Sequence, residues 1–160
     1  MAVTPSFPYE TRLNILHKSL ELINEKTLAD ACEFKWYNQT LCKVNDSVVR
    51  LGVVQGEYHW HKHDEDDEFF YVLEGQLLID LEDRTVALSP CQGFVVPKGV
   101  VHRTRAQHRT VMLMVENAGI IPTGSSISTL ACAARNHVVL GSKASARTRA
   151  APLKSNVSTR

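Results

Sequence analysis

The chain has 160 residues, 44% hydrophobic and 22% charged, which fits one globular domain with a core large enough to need no disulfide staples. The formal net charge of +1 does not point to nucleic acid, and no apolar run approaches the roughly 18 residues that span a membrane. The charges are unevenly placed. Ten acidic residues lie between Glu57 and Asp83 with Lys62 as the only base, whereas residues 141–160 carry five bases and no acid. The N-terminus lacks the basic and apolar regions of a signal peptide. Cys32, Cys42, Cys91 and Cys132 are widely spaced with no C-x-x-C pair, which predicts reduced thiols and a cytoplasmic protein.

In chain order, residues 1–33 are expected to form a Pro-containing lead-in and a helix. From Glu10 to Cys32, Leu13, Leu16, Leu20 and Ile23 recur at helical spacing, with Thr11 as a candidate cap. Such a helix would pack on the outside of the main domain, or serve as a dimer contact or lid. From Phe34 onward the signals are β. Candidate strands are Val48–Gln55, Glu57–His63, Glu68–Glu74, Gln76–Leu81, Thr85–Leu88, Gly93–Val96, His102–Arg105 and Thr110–Glu116. Gly75, Glu82–Arg84, Ser89-Pro90 and Lys98-Gly99 supply the turns. About eight short strands at this spacing predict an all-β sandwich or barrel over 34–125, and a jelly roll suits the count. Asn117–Gly124 reads as an exit loop. Residues 126–160 form a C-terminal extension, and 141–160 have too little apolar surface to order.

The chemistry concentrates between Gly56 and Gly75. On a strand, residues two apart share a face, so His61 and His63 project together as a chelating pair. Glu68 opens the next strand after an acidic turn and can swing back beside them, and His102 comes from a separate strand behind Pro97-Lys-Gly99. Imidazole nitrogens suit zinc, iron, nickel or copper, and a carboxylate suits harder ions. His59 shares the face of the pair, so His59/His61 is the competing register. It leaves six residues before Glu68 rather than four. By strand parity Phe70 follows Glu68 inward and is the candidate apolar wall of a substrate pocket, alternatively plain core.

The segment resembles the first motif of the cupin family, an HxH pair, four residues, a Glu, six residues and a Gly, matched by His61, His63, Glu68 and Gly75. Pro97, Gly99 and His102 match the second cupin motif. The resemblance covers roughly Val48 to Glu116. It implies a double-stranded β-helix, the RmlC-like jelly-roll barrel, with one divalent metal ion held inside by His61, His63, Glu68 and His102. Three positions depart from the motifs. Gly56 stands one residue too near the pair, Cys91 replaces the Gly that opens the second motif, and Ala106 replaces its closing Asn.

The resemblance further implies a metal-dependent enzyme acting on a small organic substrate. A mononuclear non-haem dioxygenase with Fe(II) is expected first, with Zn, Mn, Ni or Cu as other ions. The alternatives are a non-redox isomerase, cyclase or lyase, and a non-catalytic binding module. His59 is the expected catalytic acid/base, because an unperturbed imidazole titrates near neutral pH, and Phe70 and Tyr58 are the expected substrate contacts. Small cupins of this kind are often labelled mannose-6-phosphate isomerase-like. A sugar-phosphate site is not expected here, because Arg50, Lys98, Arg103 and Arg105 look scattered. No nucleic-acid or membrane partner is expected, and a homodimer is, since jelly-roll edges need cover.

Overall fold

A computed structural model describes residues 9–126. The extension expected from residue 126 onward, including the basic stretch 141–160, lies outside the described residues apart from Ser126. The elements are β1 (Glu10–Arg12), α1 (Glu25–Asp30), β2 (Trp36–Val44), β3 (Ser47–Glu57), β4 (His61–Lys62), β5 (Glu68–Glu74), β6 (Leu77–Leu81), β7 (Thr85–Leu88), β8 (Gly93–Val96), β9 (His102–Asn117) and β10 (Ser125–Ser126). The sheet runs β1-β2-β3-β9-β4-β10, with β5–β8 branching from β9 through β5 and β6. All pairings are antiparallel except β1 on β2. The strands curl into a jelly roll whose sheet does not close.

Strand parity sorts the side chains into two cores. Even-numbered residues of β2, β3, β5 and the second half of β9 point into the barrel, where Trp36, Val54, Phe70, Val72, Met112 and Met114 meet Leu77 and Ile79. Odd-numbered residues of β2, β3 and β9 face the other way, and Leu41, Leu51, Val53 and Val111 pack with Ala29 of α1. Asn24 caps this short helix by accepting from the Thr27 amide (3.2 Å), and Arg109 Nη2 donates to the Ala29 carbonyl (2.7 Å). The helix therefore covers the outside of the barrel.

The long helical reading of Glu10–Cys32 is corrected, because only Glu25–Asp30 is helical. The edge of β2 offers unpaired backbone groups, and the chain satisfies them by running extended alongside it. Glu10–Arg12 pairs with Tyr37–Gln39, and the amides of Leu16 and His17 donate to the carbonyls of Thr40 and Leu41 (3.1 and 2.8 Å). Leu20 takes a φ of 70°, outside any α-helix, and Leu13, Leu16 and Leu20 face solvent rather than a core. Helix propensity is a weak preference that such pairing overrides.

Several strand expectations also differ. The expected strand Glu57–His63 is broken, with β3 ending at Glu57 and β4 holding only His61–Lys62. The expected pair His102–Arg105 and Thr110–Glu116 is one strand, β9, which passes from one sheet to the other. Its corner at Gln107–Arg109 is exposed and falls at the register shift opposite Gln55. The expected exit loop instead turns back at Asn117–Gly124, and β10 pairs with β4. At the turn after Ser89-Pro90, Cys91 itself adopts a φ of 66°, the backbone region that the motif's glycine would take.

Candidate metal centre

His61 and His102 are direct cross-strand partners on β4 and β9, which brings their rings to 4.3 Å between centroids. His63 follows β4, and its carbonyl accepts the Gly99 amide (2.6 Å), so the Pro97–Gly99 turn braces it. Glu68 opens β5 opposite Val96. In the acidic turn between them, Asp67 accepts the Lys98 amide (2.9 Å). One ligand atom from each of His61, His63 and Glu68 lies within 4.8 Å of the others, and all three side chains are buried. His102 adjoins this trio through Glu68, with its Nε2 3.3 Å from Oε2.

These residues fit a metal ion on their hydrogen bonding alone. Carbonyls only accept, so His61 Nδ1 donates to the His59 carbonyl and His102 Nδ1 to the Val100 carbonyl, both at 3.0 Å. This fixes the tautomers and turns each Nε2 lone pair toward the cavity, the usual arrangement behind metal-bound imidazoles. The lone pair of His102 then faces a carboxylate oxygen, and a cation or a proton must lie between them. His63 Nε2 is buried with no hydrogen-bond partner among the described residues, 3.6 Å from Glu68 Oε2. Burial pulls His61 down to about 3 and lowers His63, so both imidazoles are in the neutral, ligating form.

His61 and Glu68 of the trio line a cavity of about 30 Å³ inside the barrel. Phe70 and Tyr58 line it, where they were expected to meet substrate. His59 does not line it. Its ring packs on Tyr58 (4.3 Å between centroids) and stands 5.2 Å from that of His61, and its Nε2 donates to the Thr123 carbonyl (2.8 Å).

Sequence reasoning missed the opposite wall. Trp36 and Asn38 of β2, Arg50 of β3 and Glu116 of β9 all line the cavity, and Arg50 is only 3% exposed. The Arg50 guanidinium contacts the Glu116 carboxylate through Nε and donates from Nη1 to Thr40 Oγ1 (2.8 Å). Burial and the charge of Glu68 push the Glu116 carboxyl up, and the Arg50 guanidinium works against them. Arg50 is thus no scattered surface base. Arg103 and Arg105 are also gathered, on Asp80. Parity on β3 and β9 was the available signal, but α1 buries the odd face of β3 as well, so no polar/apolar alternation marks Arg50 as inward.

The second missed part is a roof. Pro122 lines the cavity and its carbonyl accepts from the Tyr58 hydroxyl (3.3 Å). Gly124 lies so close that an added Cβ would stand 2.7 Å from the Lys62 carbonyl oxygen, 2.9 Å from His61 Cδ2 and 3.2 Å from His63 Cε1. Its φ of 53° also favours glycine.

Comparison with known proteins agrees with this geometry. The cupin domain profile, Cupin_2, matches residues 48–116. The protein YdbB of Bacillus subtilis (strain 168), itself uncharacterized, is 47% identical over 95 residues, covering 59% of this chain and 84% of YdbB. The crystal structure of a cupin-2 domain containing protein from Shewanella frigidimarina superposes with a TM-score of 0.58 at 31% identity, covering 60% of this chain and 94% of that one. Protein NMB1881 from Neisseria meningitidis does so with 0.55 at 26% identity, covering 61% and 99%. With its jelly roll and its buried His-His-Glu group able to hold a divalent metal ion, the chain belongs to the cupin family, in its Cupin_2 branch.

Proposed function

We propose that this cupin is a metal-dependent enzyme acting on a small organic molecule, with a mononuclear non-haem dioxygenase using Fe(II) as the reading. His61, His63, Glu68 and His102 would hold the ion. The observation that carries the proposal is the inward-turned, lone-pair-bearing nitrogens gathered on Glu68 at the edge of a cavity. A bound iron would supply the capacity to activate dioxygen beside an organic ligand.

The chain's own part is to bind and orient. Phe70 and Tyr58 offer an apolar wall to the substrate, Pro122 lines the cavity beside Tyr58, and Gly124 packs against His61 and His63. His59 acts on the centre first through its carbonyl, which holds the His61 tautomer. Its side chain donates from Nε2 to the Thr123 carbonyl, which leaves Nδ1 as the atom that would take a proton.

The test is elemental analysis of protein purified from its own source, followed by substrate turnover under air and under nitrogen. Bound iron and turnover only in air are expected. Zinc as the resident ion with turnover under nitrogen would replace the oxygenase by a non-redox isomerase, cyclase or lyase. Metal without turnover of any substrate would leave a binding module.

The same reading has the protein cytoplasmic and dimeric. Cys32, Cys42 and Cys91 are free thiols, which supports a reducing compartment. Among the described residues no helix is long and apolar enough to cross a membrane. Leu13, Ile15, Leu20, Leu22 and Phe34 are exposed around the β1 edge, an apolar surface that supports pairing of two copies there.

A further inference from the structure

The wall facing the metal group holds two polar atoms with nothing to bond. Trp36 Nε1 and Asn38 Oδ1 are buried and have no hydrogen-bond partner among the described residues. Their residues are only 4% and 7% exposed, and both line the cavity. Buried polar groups left unmade are costly and rare, and they cluster where a ligand completes them. The two atoms differ in kind, since the indole N–H only donates and the amide oxygen only accepts. They project from residues two apart on β2, hence from one face. A ligand hydroxyl answers both, its oxygen accepting from Trp36 and its hydrogen donating to Asn38.

Charge sets the rest of the ligand. A divalent ion with neutral imidazoles and the Glu68 carboxylate leaves +1 at the centre. Arg50 and Glu116 cancel each other beside it. One negative charge on the ligand therefore balances the cavity. A phosphate dianion does not suit it, because Arg50 is already engaged by Glu116 and Thr40. The cavity of about 30 Å³ admits only a molecule of a few carbons, and that only if Met112 or Met114 swings aside. Methionine side chains yield readily to such changes.

We infer that this wall is the recognition subsite for a small hydroxy acid, which places its carboxylate at the metal group and its hydroxyl between Trp36 and Asn38. The inference rests on the metal-centre reading and narrows its substrate class.

The test is titration of the cobalt(II)-loaded protein with lactate and with propionate, which differ by one hydroxyl, read from the cobalt absorption bands. Lactate chelates cobalt on its own account, so the share owed to the wall is what substitution removes. Trp36→Phe and Asn38→Leu are each expected to weaken lactate about tenfold while leaving propionate within about twofold, the scale of one lost hydrogen bond. The cobalt bands of each variant without ligand should match those of the wild type, which shows that the fold and the metal group are intact. Should one variant fail that check, the other decides. Unchanged lactate affinity in an intact variant, or equal binding of lactate and propionate by the wild type, would overturn the inference and leave the metal centre standing. A wild-type protein that takes up no cobalt would sink the metal centre itself, and the subsite with it.

Discussion

Glu68 and Asp80 are carboxylates closed off from solvent on neighbouring parts of one barrel, and their charges are compensated in opposite ways. Asp80 carries its counter-charges with it. Arg103 Nε and Arg105 Nε donate to Oδ2 (2.9 and 2.5 Å), and Arg105 Nη2 and Thr85 Oγ1 donate to Oδ1 (3.0 and 2.6 Å). Glu68 has imidazoles turned toward it by their lone pairs, and no guanidinium of its own. A buried carboxylate with its cations built in is a finished structural tie. One set among neutral nitrogen donors is complete only when a cation arrives. Glu116, paired with Arg50 yet close to Glu68, stands between the two cases.

Removing a donor from the Glu68 cluster should have the largest effect. His61→Ala, His63→Ala or Glu68→Ala should each weaken zinc or cobalt binding, measured by chelator competition, by more than the roughly 10–100-fold that substitutions outside the ligand set bring. His59→Ala keeps the backbone carbonyl that orients His61, so its metal affinity should stay close to that of the wild type. The opposite pattern, with His59→Ala losing metal and His61→Ala retaining it, would mean that the chelating pair is His59/His61.

Arg50→Met should come next, because it leaves Glu116 buried without its partner. A loss of about 3–5 kcal/mol in urea unfolding is expected, as for other broken buried pairs. The double variant Arg50→Met/Glu116→Leu should recover much of it. If it recovers none, the two residues are not coupled and the intermediate standing of Glu116 falls.

Asp80→Asn should cost less, about 1–3 kcal/mol, because Arg103 and Arg105 reach partial solvent when released. Burial alone would raise Asp80, but Arg105, Thr85 and Arg103 hold it down to about 2. A depressed carboxyl stabilises the fold above its unfolded value, near 3.9. That contribution should fade as pH falls from about 4 toward 2. The wild type should therefore lose its margin over Asp80→Asn across that window, and a constant margin would show that the tie is not ionic.

The smallest stability effect is expected on the exposed edge. Leu20→Ser with Leu22→Ser should change unfolding by about 0.5 kcal/mol or less, as solvent-facing substitutions do. Light scattering at micromolar concentration should show a dimer in the wild type and a monomer in this variant. A monomeric wild type would remove the pairing proposal.

The candidate metal group of His61, His63 and Glu68 was legible because its spacing is local. His61 and His63 lie two apart, Glu68 opens the next strand, and the Pro97–Gly99 turn announces His102. Glu68–Glu74, Thr85–Leu88 and Gly93–Val96 were readable to the residue, since their alternation is bounded by turns. Trp36, Asn38, Arg50 and Glu116 meet only after β2, β3 and β9 pair, and nothing in their local sequence sets them apart. The leucines before Ile23 misled for a related reason. Their spacing suits a helix, but the free edge of β2, far along the chain from Leu13, decided their conformation.

Strand β9 has one more consequence. It carries His102 near its start and Glu116 near its end, and it is hydrogen-bonded to β3, β4, β5 and β6. One continuous piece of backbone, folded once at Gln107–Arg109, therefore runs from the metal group to the opposite wall. Strain that widens the barrel at one end of β9 is passed along covalent bonds toward the other, with that exposed corner as a place to absorb it. A residue inserted there would act as a gauge of how tightly the two ends must be held apart.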